Sequence, residues 1–272
     1  MSVTLHQLRN PDQHIDLRGI LPQTLAGLSA DAIRQLPLYA GNRRHPLGEL
    51  FEVAIDEADS DTLRIVPMDG RLDHVGAGQA SGSIEVAGSV GDLAGAGMRG
   101  GVLRISGSAG DHAGAAMAGG RLQIDGDSGD FTAAPLPGER RGQHGGIIRV
   151  RGNTGCCAGE RMRRGLLLIE GDAGERLGHR MIAGTLYCGG QAGELAGYGM
   201  RRGTLLLRAP ARTWPGSLAD NGQQVLPFLV LLLREVDGLL GNGSALSRGA
   251  CRVQRYVGDL ACAGCGEILI LD

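Results

Sequence analysis

Short segments in which apolar residues alternate with polar or small ones recur along the middle of the chain. The clearest copies lie at residues 102–105, 121–124, 147–150 and 166–169. Alternation over four or five residues is typical of a β-strand with one buried face. Residues 63–66 fit one period earlier as a degraded first copy, and residues 204–207 form a truncated last copy. The pattern predicts a series of short strands at regular spacing.

Glycine and methionine follow the same spacing. The motif Gly-x-x-Gly begins at Gly88, Gly107, Gly126, Gly152, Gly171 and Gly190, which is an interval of 19 residues with one exception of 26. Five of the seven methionines occupy one position of this repeat, namely Met98, Met117, Met162, Met181 and Met200. The long interval holds seven extra residues, 135–141, and its prolines predict an exposed loop on one face.

A 19-residue unit with one strand and sharp glycine corners cannot bury its apolar face alone. It must stack on copies of itself, and glycine permits the tight corners and close backbone approach that stacking requires. We therefore predict an all-β fold, a right-handed parallel β-helix of roughly seven to eight coils. It would span residues 63–208, with the strands of successive coils ~4.8 Å apart.

The two ends of the chain do not show the repeat. Residues 1–62 are predicted to cap the first coil, and residues 209–272 are predicted to hold a C-terminal helix and a closing strand. The elements expected in these ends are a helix at residues 29–36, a strand at 50–54, a helix-like segment at about 222–240 and a strand at 267–271.

Composition excludes several classes of protein. The chain has 272 residues with 48 Gly, which is too little glycine for collagen, and its 42% hydrophobic content is too high for a disordered chain. The longest apolar run, residues 225–233, is far shorter than the ~20 residues of a membrane span, and the N-terminus lacks the apolar core of a signal peptide. A net charge of −2 argues against a general nucleic-acid binder. We expect a soluble, cytoplasmic protein that contacts neither membrane nor nucleic acid and keeps its thiols reduced.

Candidate catalytic and metal-binding groups are sparse in the sequence. Cys262 and Cys265 form a C-x-x-C, with Cys251 eleven residues earlier, but a zinc or iron–sulfur site needs four ligands. The adjacent Cys156 and Cys157 and the C-x-x-C are interpreted as structural or incidental thiols. The histidines do not recur at metal-ligand spacing, and no nucleophile elbow, P-loop or dinucleotide fingerprint is present. We predict neither catalytic residues nor a metal site.

The remaining signal is a set of arginines near the methionine position. All 27 basic residues are Arg, and each guanidinium is a planar fork suited to a carboxylate or phosphate. The predicted carrier- or partner-binding residues are Arg99, Arg140, Arg141, Arg161, Arg163, Arg164, Arg180, Arg201 and Arg202. Stacked coils would bring them within one Debye length of each other, which is costly unless anions lie between them. Alternatively, they are solvated, or paired with a neighbouring acidic column comprising Asp92, Asp111, Asp130, Glu175 and Glu194.

The repeat, with the flanking stretches Gly41-Asn42, residues 47–53, Gly258-Asp259 and Gly266-Glu267, resembles the C subunit of the formylmethanofuran dehydrogenase family. The resemblance covers residues 30–272, and the repeat alone also resembles the C-terminal domain of the glutamate synthase large subunit. In bacteria the family includes a formyltransferase/hydrolase complex, which moves a formyl group from tetrahydromethanopterin to a methanofuran-type carrier and releases formate.

The resemblance implies a non-catalytic scaffold subunit in a hetero-oligomer with formyltransferase and amidohydrolase-like subunits. It assigns no cofactor to this chain, and a methanofuran-type carrier is expected only at the level of the complex, where its glutamate-containing tail would suit the arginine set. Alternatives are the C subunit of a redox-active molybdenum or tungsten formylmethanofuran dehydrogenase, a stand-alone interaction domain like that of glutamate synthase, or a β-helix enzyme that acts on acidic polysaccharide. The last class is usually longer, secreted and rich in aromatic residues, and this chain has only 3% of these.

Overall fold

The structure, a computed structural model, describes residues 2–56, 61–241 and 252–271. This part of the chain is mainly β, with 17 strands and few helices. The strands are β1 Ser2–Gln7, β2 Ile15–Asp16, β3 Pro37–Ala40, β4 Arg43–Pro46, β5 Phe51–Asp56, β6 Thr62–Val66, β7 Leu72–Asp73, β8 Ser83–Val86, β9 Arg99–Ile105, β10 Gly119–Ile124, β11 His144–Val150, β12 Arg164–Ile169, β13 Thr185–Cys188, β14 Thr204–Leu207, β15 Ala219–Val225, β16 Arg252–Gly258 and β17 Gly266–Leu271. The α-helices are α1 Pro22–Leu25, α2 Ala30–Arg34, α3 Leu47–Leu50 and α4 Leu229–Leu240.

Thirteen strands form one long sheet in the order β15-β16-β17-β14-β13-β12-β11-β10-β9-β8-β6-β1-β5. Pairing is parallel from β1 to β17, and antiparallel strands close both ends. Leu103 pairs with Leu122, and Leu122 pairs with Ile148 across the 26-residue interval. The extra residues therefore leave the register intact, and the strands predicted from the alternating segments are confirmed.

A second line of contacts joins successive units at their glycine turns. Asp111 Oδ1 accepts a hydrogen bond of 2.7 Å from the backbone N–H of Asp130, and Asp130 Oδ1 accepts one of 2.7 Å from the N–H of Cys156. A Cβ on Gly129 would lie only 2.1 Å from Asp111 Oδ1. Glycine is needed at this turn because the carboxylate of the preceding unit occupies the space of a side chain.

The interior of the stack is apolar and narrow. All five methionines of the repeat are fully buried, together with Leu and Ile rows from the strands. A separate apolar cluster lies on the outer face of β12, β13, β14 and β17, where α4 packs against Leu168, Tyr187 and Leu206. These strands are buried on both faces, which explains why their sequences are almost continuously apolar rather than alternating.

The four elements predicted in the ends are present, one of them with a different boundary, whereas β1, which pairs in parallel with β6, was not predicted. Helix α2 begins after Ser29, whose side chain accepts a hydrogen bond from the N–H of Ala32, and this confirms the predicted helix. The C-terminal helix was expected from about residue 222, but residues 219–225 form β15, and α4 starts only at Leu229. Pro227 cannot donate a backbone hydrogen bond, so the helix begins just after it. Of the helices in the described part of the chain, none has the length and hydropathy of a membrane span.

Candidate anion-binding groove

An open groove of about 670 Å³ runs along the turns that precede β12, β13 and β14. Five of the nine predicted arginines line it, namely Arg140, Arg161, Arg163, Arg180 and Arg201. Arg140 comes from the inserted loop, and the others come from three successive units. Stacking therefore gathers side chains that lie up to 61 positions apart in the sequence.

Two of these arginines occupy an unusual backbone conformation. Arg161 has a φ of 48° and Arg180 a φ of 52°, both in the left-handed region. Gly97 and Gly199 stand at the same repeat position in other units, with φ values of 63° and 69°. A side chain in this region costs roughly 1–2 kcal/mol, so two successive units carry arginine at a position that glycine would occupy with less strain.

Four predicted residues do not line the groove. Arg99, Arg141, Arg164 and Arg202 are exposed but lie outside it. Arg164 and Arg202 each directly follow a groove arginine in the chain. The structure thus divides the predicted set into five residues that share one site and four that do not.

Within the described residues, one ion pair involves the nine arginines. Arg161 Nε lies 3.5 Å from Glu160 Oε1. Three members of the acidic column, Asp92, Asp111 and Asp130, instead accept hydrogen bonds from backbone N–H groups of the next unit. The groove therefore presents guanidinium groups that are available to an external anion.

Asp259 lies at the groove and is only 2% exposed. It accepts hydrogen bonds from the Ser217 hydroxyl, from Gly199 N–H at 2.9 Å and from Ala261 N–H at 3.0 Å. Burial raises its pKa, but these three donors outweigh burial and hold the pKa below its ordinary value. Asp259 is thus a fixed anion that joins the chain before β17 to the turn before β14.

Cys262 also lines the groove, and its sulfur is surrounded by backbone oxygens. Its Sγ lies 3.3 Å from the carbonyl of Asp259, 3.4 Å from that of Gly199 and 3.5 Å from that of Met200. Cys265 is exposed and, like Cys262, is a free thiol. Cys251 lies outside the described residues.

A cluster next to the groove was missed by the sequence reasoning. Cys157 Sγ, a carboxylate oxygen of Glu160 and a ring nitrogen of His179 lie within 4.8 Å of one another. Glu160 and His179 occupy the repeat position that is alanine in three earlier units, at Ala96, Ala115 and Ala134. Comparison of this position between units would have shown polar residues replacing alanine.

Burial governs the protonation of this cluster. It raises the pKa of the Cys157 thiol, with a further contribution from the neighbouring Glu160 charge. It lowers the pKa of His179, and the nearby arginines lower it further while Glu160 opposes them. The thiol and the imidazole are therefore both held in their neutral forms, and the neutral imidazole can act as a metal ligand.

The stacked parallel strands and the arginine-lined groove together define a glycine-rich repeat protein with a strongly basic groove beside its last units. No protein-family model matches the chain. A chain in the crystal structure of the formyltransferase/hydrolase complex from Methylorubrum extorquens, solved with methylofuran, superposes with a TM-score of 0.87 at 34% identity, and the match covers 99% of both chains. The chain belongs to the family formed by the C subunits of formylmethanofuran dehydrogenases and of formyltransferase/hydrolase complexes.

Curated relatives carry the same family names. The C subunit of the formyltransferase/hydrolase complex of Methylorubrum extorquens is 40% identical over 79 residues, which are 29% of each protein. The C subunit of a molybdenum-containing formylmethanofuran dehydrogenase of Methanothermobacter marburgensis is 40% identical over 72 residues, which are 26% of this chain and 18% of the relative. These sequence matches thus span less than a third of either relative.

Proposed function

We propose that this chain is the non-catalytic scaffold subunit of a formyltransferase/hydrolase complex and that its arginine groove holds the anionic tail of a furan carrier. Its partners would be formyltransferase and amidohydrolase-like subunits. Together they would move a formyl group from tetrahydromethanopterin to a methanofuran-type carrier and release it as formate. The full-length similarity to a chain of the methylofuran-containing complex supports this proposal over a stand-alone role.

The groove is the observation that carries the proposal. Five arginines line about 670 Å³, and four of them have no ion-pair partner among the described residues. Each guanidinium can donate two parallel hydrogen bonds to a carboxylate. Rows that repeat at ~4.8 Å per unit suit a linear chain of carboxylates, whose successive charges would offset the repulsion between the arginines.

The scaffold role also depends on a rigid architecture. We propose that the parallel sheet and the second line of contacts are two faces of a right-handed β-helix over residues 63–208. Residues 1–62 and 209–272 would then be its caps. The parallel bridges that link Ala109, Ser128, Thr154, Ala173 and Ala192 support this arrangement, because they follow the same period as the main sheet.

The relative from Methanothermobacter favours a second candidate, the C subunit of a molybdenum-containing formylmethanofuran dehydrogenase. We prefer the formyltransferase/hydrolase assembly, since the similarity to that structure extends over 99% of both chains. Purification of the native complex separates the two candidates. Molybdenum or tungsten in stoichiometric amount would support the dehydrogenase, and a metal content without either would support the hydrolytic complex.

Adjacent arginines provide a matched test of the groove. The double variant Arg163→Gln/Arg201→Gln removes two groove arginines, and Arg164→Gln/Arg202→Gln removes their neighbours outside it. A lost hydrogen bond to a charged group costs about 1.5–3 kcal/mol, so the groove variant should bind a fluorescent glutamate oligomer at least about tenfold more weakly. The carrier retained by the purified complex, measured by mass spectrometry, should fall in parallel.

The neighbour variant should retain both the oligomer and the carrier. Equal losses in the two variants would show a general charge effect rather than a groove. Unchanged binding in the groove variant would refute the tail site. Size-exclusion chromatography of each variant complex distinguishes lost assembly from lost carrier.

A further inference from the structure

The cluster of Cys157, Glu160 and His179 contains three of the side-chain types that bind transition metals. A thiolate sulfur, a carboxylate oxygen and an imidazole nitrogen are all zinc ligands, and three protein ligands with one open position are a common zinc arrangement. Here the three atoms lie within 4.8 Å of one another, and the side chains are buried or half-buried. A modest inward movement of the side chains would bring them to coordination distance.

The backbone at the cluster is already fixed. Glu160 N–H donates to the carbonyl of Cys157 at 3.1 Å, and Arg161 N–H donates to the carbonyl of His179 at 2.8 Å across adjacent units. Cys157 itself has a φ of 59° and donates its N–H to the carbonyl of Glu175 at 2.8 Å. The backbone that carries the three ligand side chains is therefore held in place by the stack before any ion binds. This reduces the conformational entropy lost on binding.

His179 provides an independent indication of a ligand. Its Nδ1 is buried and makes no hydrogen bond within the protein, and Glu160 Oε1 lies 3.5 Å from it. The other face of the cluster is shielded by Tyr198, whose ring stacks on His179 with centroids 5.7 Å apart. A buried polar atom without a partner is costly, and an ion bound here would satisfy it.

We propose that Cys157, Glu160 and His179 form a binding site for Zn²⁺ or a chemically similar divalent transition metal. On binding, the Cys157 thiol releases its proton to solvent and the sulfur bonds to the metal. The thiolate and the Glu160 carboxylate then cancel the charge of a divalent ion. This cancellation matters because Arg161 and Arg180 lie nearby and would repel an uncompensated cation. The Glu160–Arg161 ion pair is exchanged for the metal bond.

The thiols of the C-x-x-C, of which Cys265 is exposed, would compete for metal, so the test uses the full chain carrying Cys262→Ser and Cys265→Ser. Zn²⁺ alone should bind with one equivalent in a chelator competition. Co²⁺ in its place should give a sulfur-to-cobalt charge-transfer band in the near ultraviolet. Adding Cys157→Ser should abolish the band and weaken Zn²⁺ binding by more than the ~10–100-fold that loss of an outer-shell partner costs.

Cys156→Ser is the matched control, since Cys156 is the adjacent thiol outside the cluster, and it should keep both signals. His179→Gln provides a second route if Cys157→Ser fails to fold, and it should weaken binding while the thiol remains. Circular dichroism checks the fold of each variant. Absence of stoichiometric Zn²⁺ binding, or equal binding by the Cys157→Ser and Cys156→Ser proteins, would overturn the site. Neither result bears on the arginine groove, which is tested separately.

Discussion

The early and late units of the stack share a backbone but differ in what they carry. Around Met98 and Met117 the turn residues are small, such as Ala96, Gly97 and Ala115. Around Met162 and Met181 the same positions hold the cluster and groove residues Glu160, Arg161, His179 and Arg180. The methionines are fully buried in both regions. The same interior packing is therefore present throughout the stack, and the early and late units differ in their turn residues.

The outer face of the sheet also differs between the early and the late units. One strand position is polar in early units, as Arg104 and Gln123, and apolar in later units, as Leu168, Tyr187 and Leu206. The later residues are covered by α4. The helix thus covers the outer face of the same units whose turns carry the groove.

The largest expected effect tests this covered face. Leu206→Ala removes a fully buried side chain beneath α4 and should lower the free energy of unfolding by about 2–5 kcal/mol. Arg104→Ala, at the same strand position in an early unit, should cost less than about 1 kcal/mol, because its ion pair with Glu85 is exposed. Urea titration compares them, and similar losses would show that α4 adds little.

Glycine turns provide the next test. Gly129→Ala would push a Cβ to within 2.1 Å of Asp111 Oδ1 and break the carboxylate-to-amide hydrogen bond. We expect a loss of about 1–3 kcal/mol in unfolding free energy. Gly216→Ala is the control, because nothing lies within 4 Å of its added Cβ, and it should change stability by less than about 0.5 kcal/mol. Equal effects would mean that the side-chain ladder is not structural.

A pH-dependent effect is expected in the late units, at His179. Burial lowers the pKa of His179 from 6.5, so the unfolded chain binds this proton more readily than the folded chain. The folded protein should therefore lose stability as pH falls from 6.5 toward the lowered pKa and regain it as pH rises. His179→Gln should flatten this part of the stability curve. An unchanged slope in the variant would place the titration elsewhere.

The smallest expected effect is that of Arg180→Gly, which should change the free energy of unfolding and the binding of an anion in opposite directions. Arg180→Gly relieves a φ of 52° and should raise the free energy of unfolding by up to about 1 kcal/mol. The same change removes a groove arginine and should weaken binding of the glutamate oligomer. Arg202→Gly, whose φ is not positive and which lies outside the groove, should do neither. A loss of stability in Arg180→Gly would show that its backbone is not strained.

Repeat spacing predicted the strands well because burial of one row of side chains fixes their register. It could not place side chains at the turns, where residues one position apart lie in different surroundings. Arg163 and Arg164 show this, since only the first reaches the groove. Asp259 was also missed as a site residue, because its contacts with Ser217 and Gly199 join distant parts of the chain.

The row of carboxylates that accept the N–H groups of the next turn runs in one direction along the molecule. Each of these turns thus supplies an acceptor that positions the backbone of the following turn. Removal or duplication of a complete unit would keep every such pairing, whereas a cut within a unit would leave acceptors facing the wrong residues. Homologues of this chain should consequently differ in length by whole repeat units, and shorter insertions should be confined to loops such as residues 135–141.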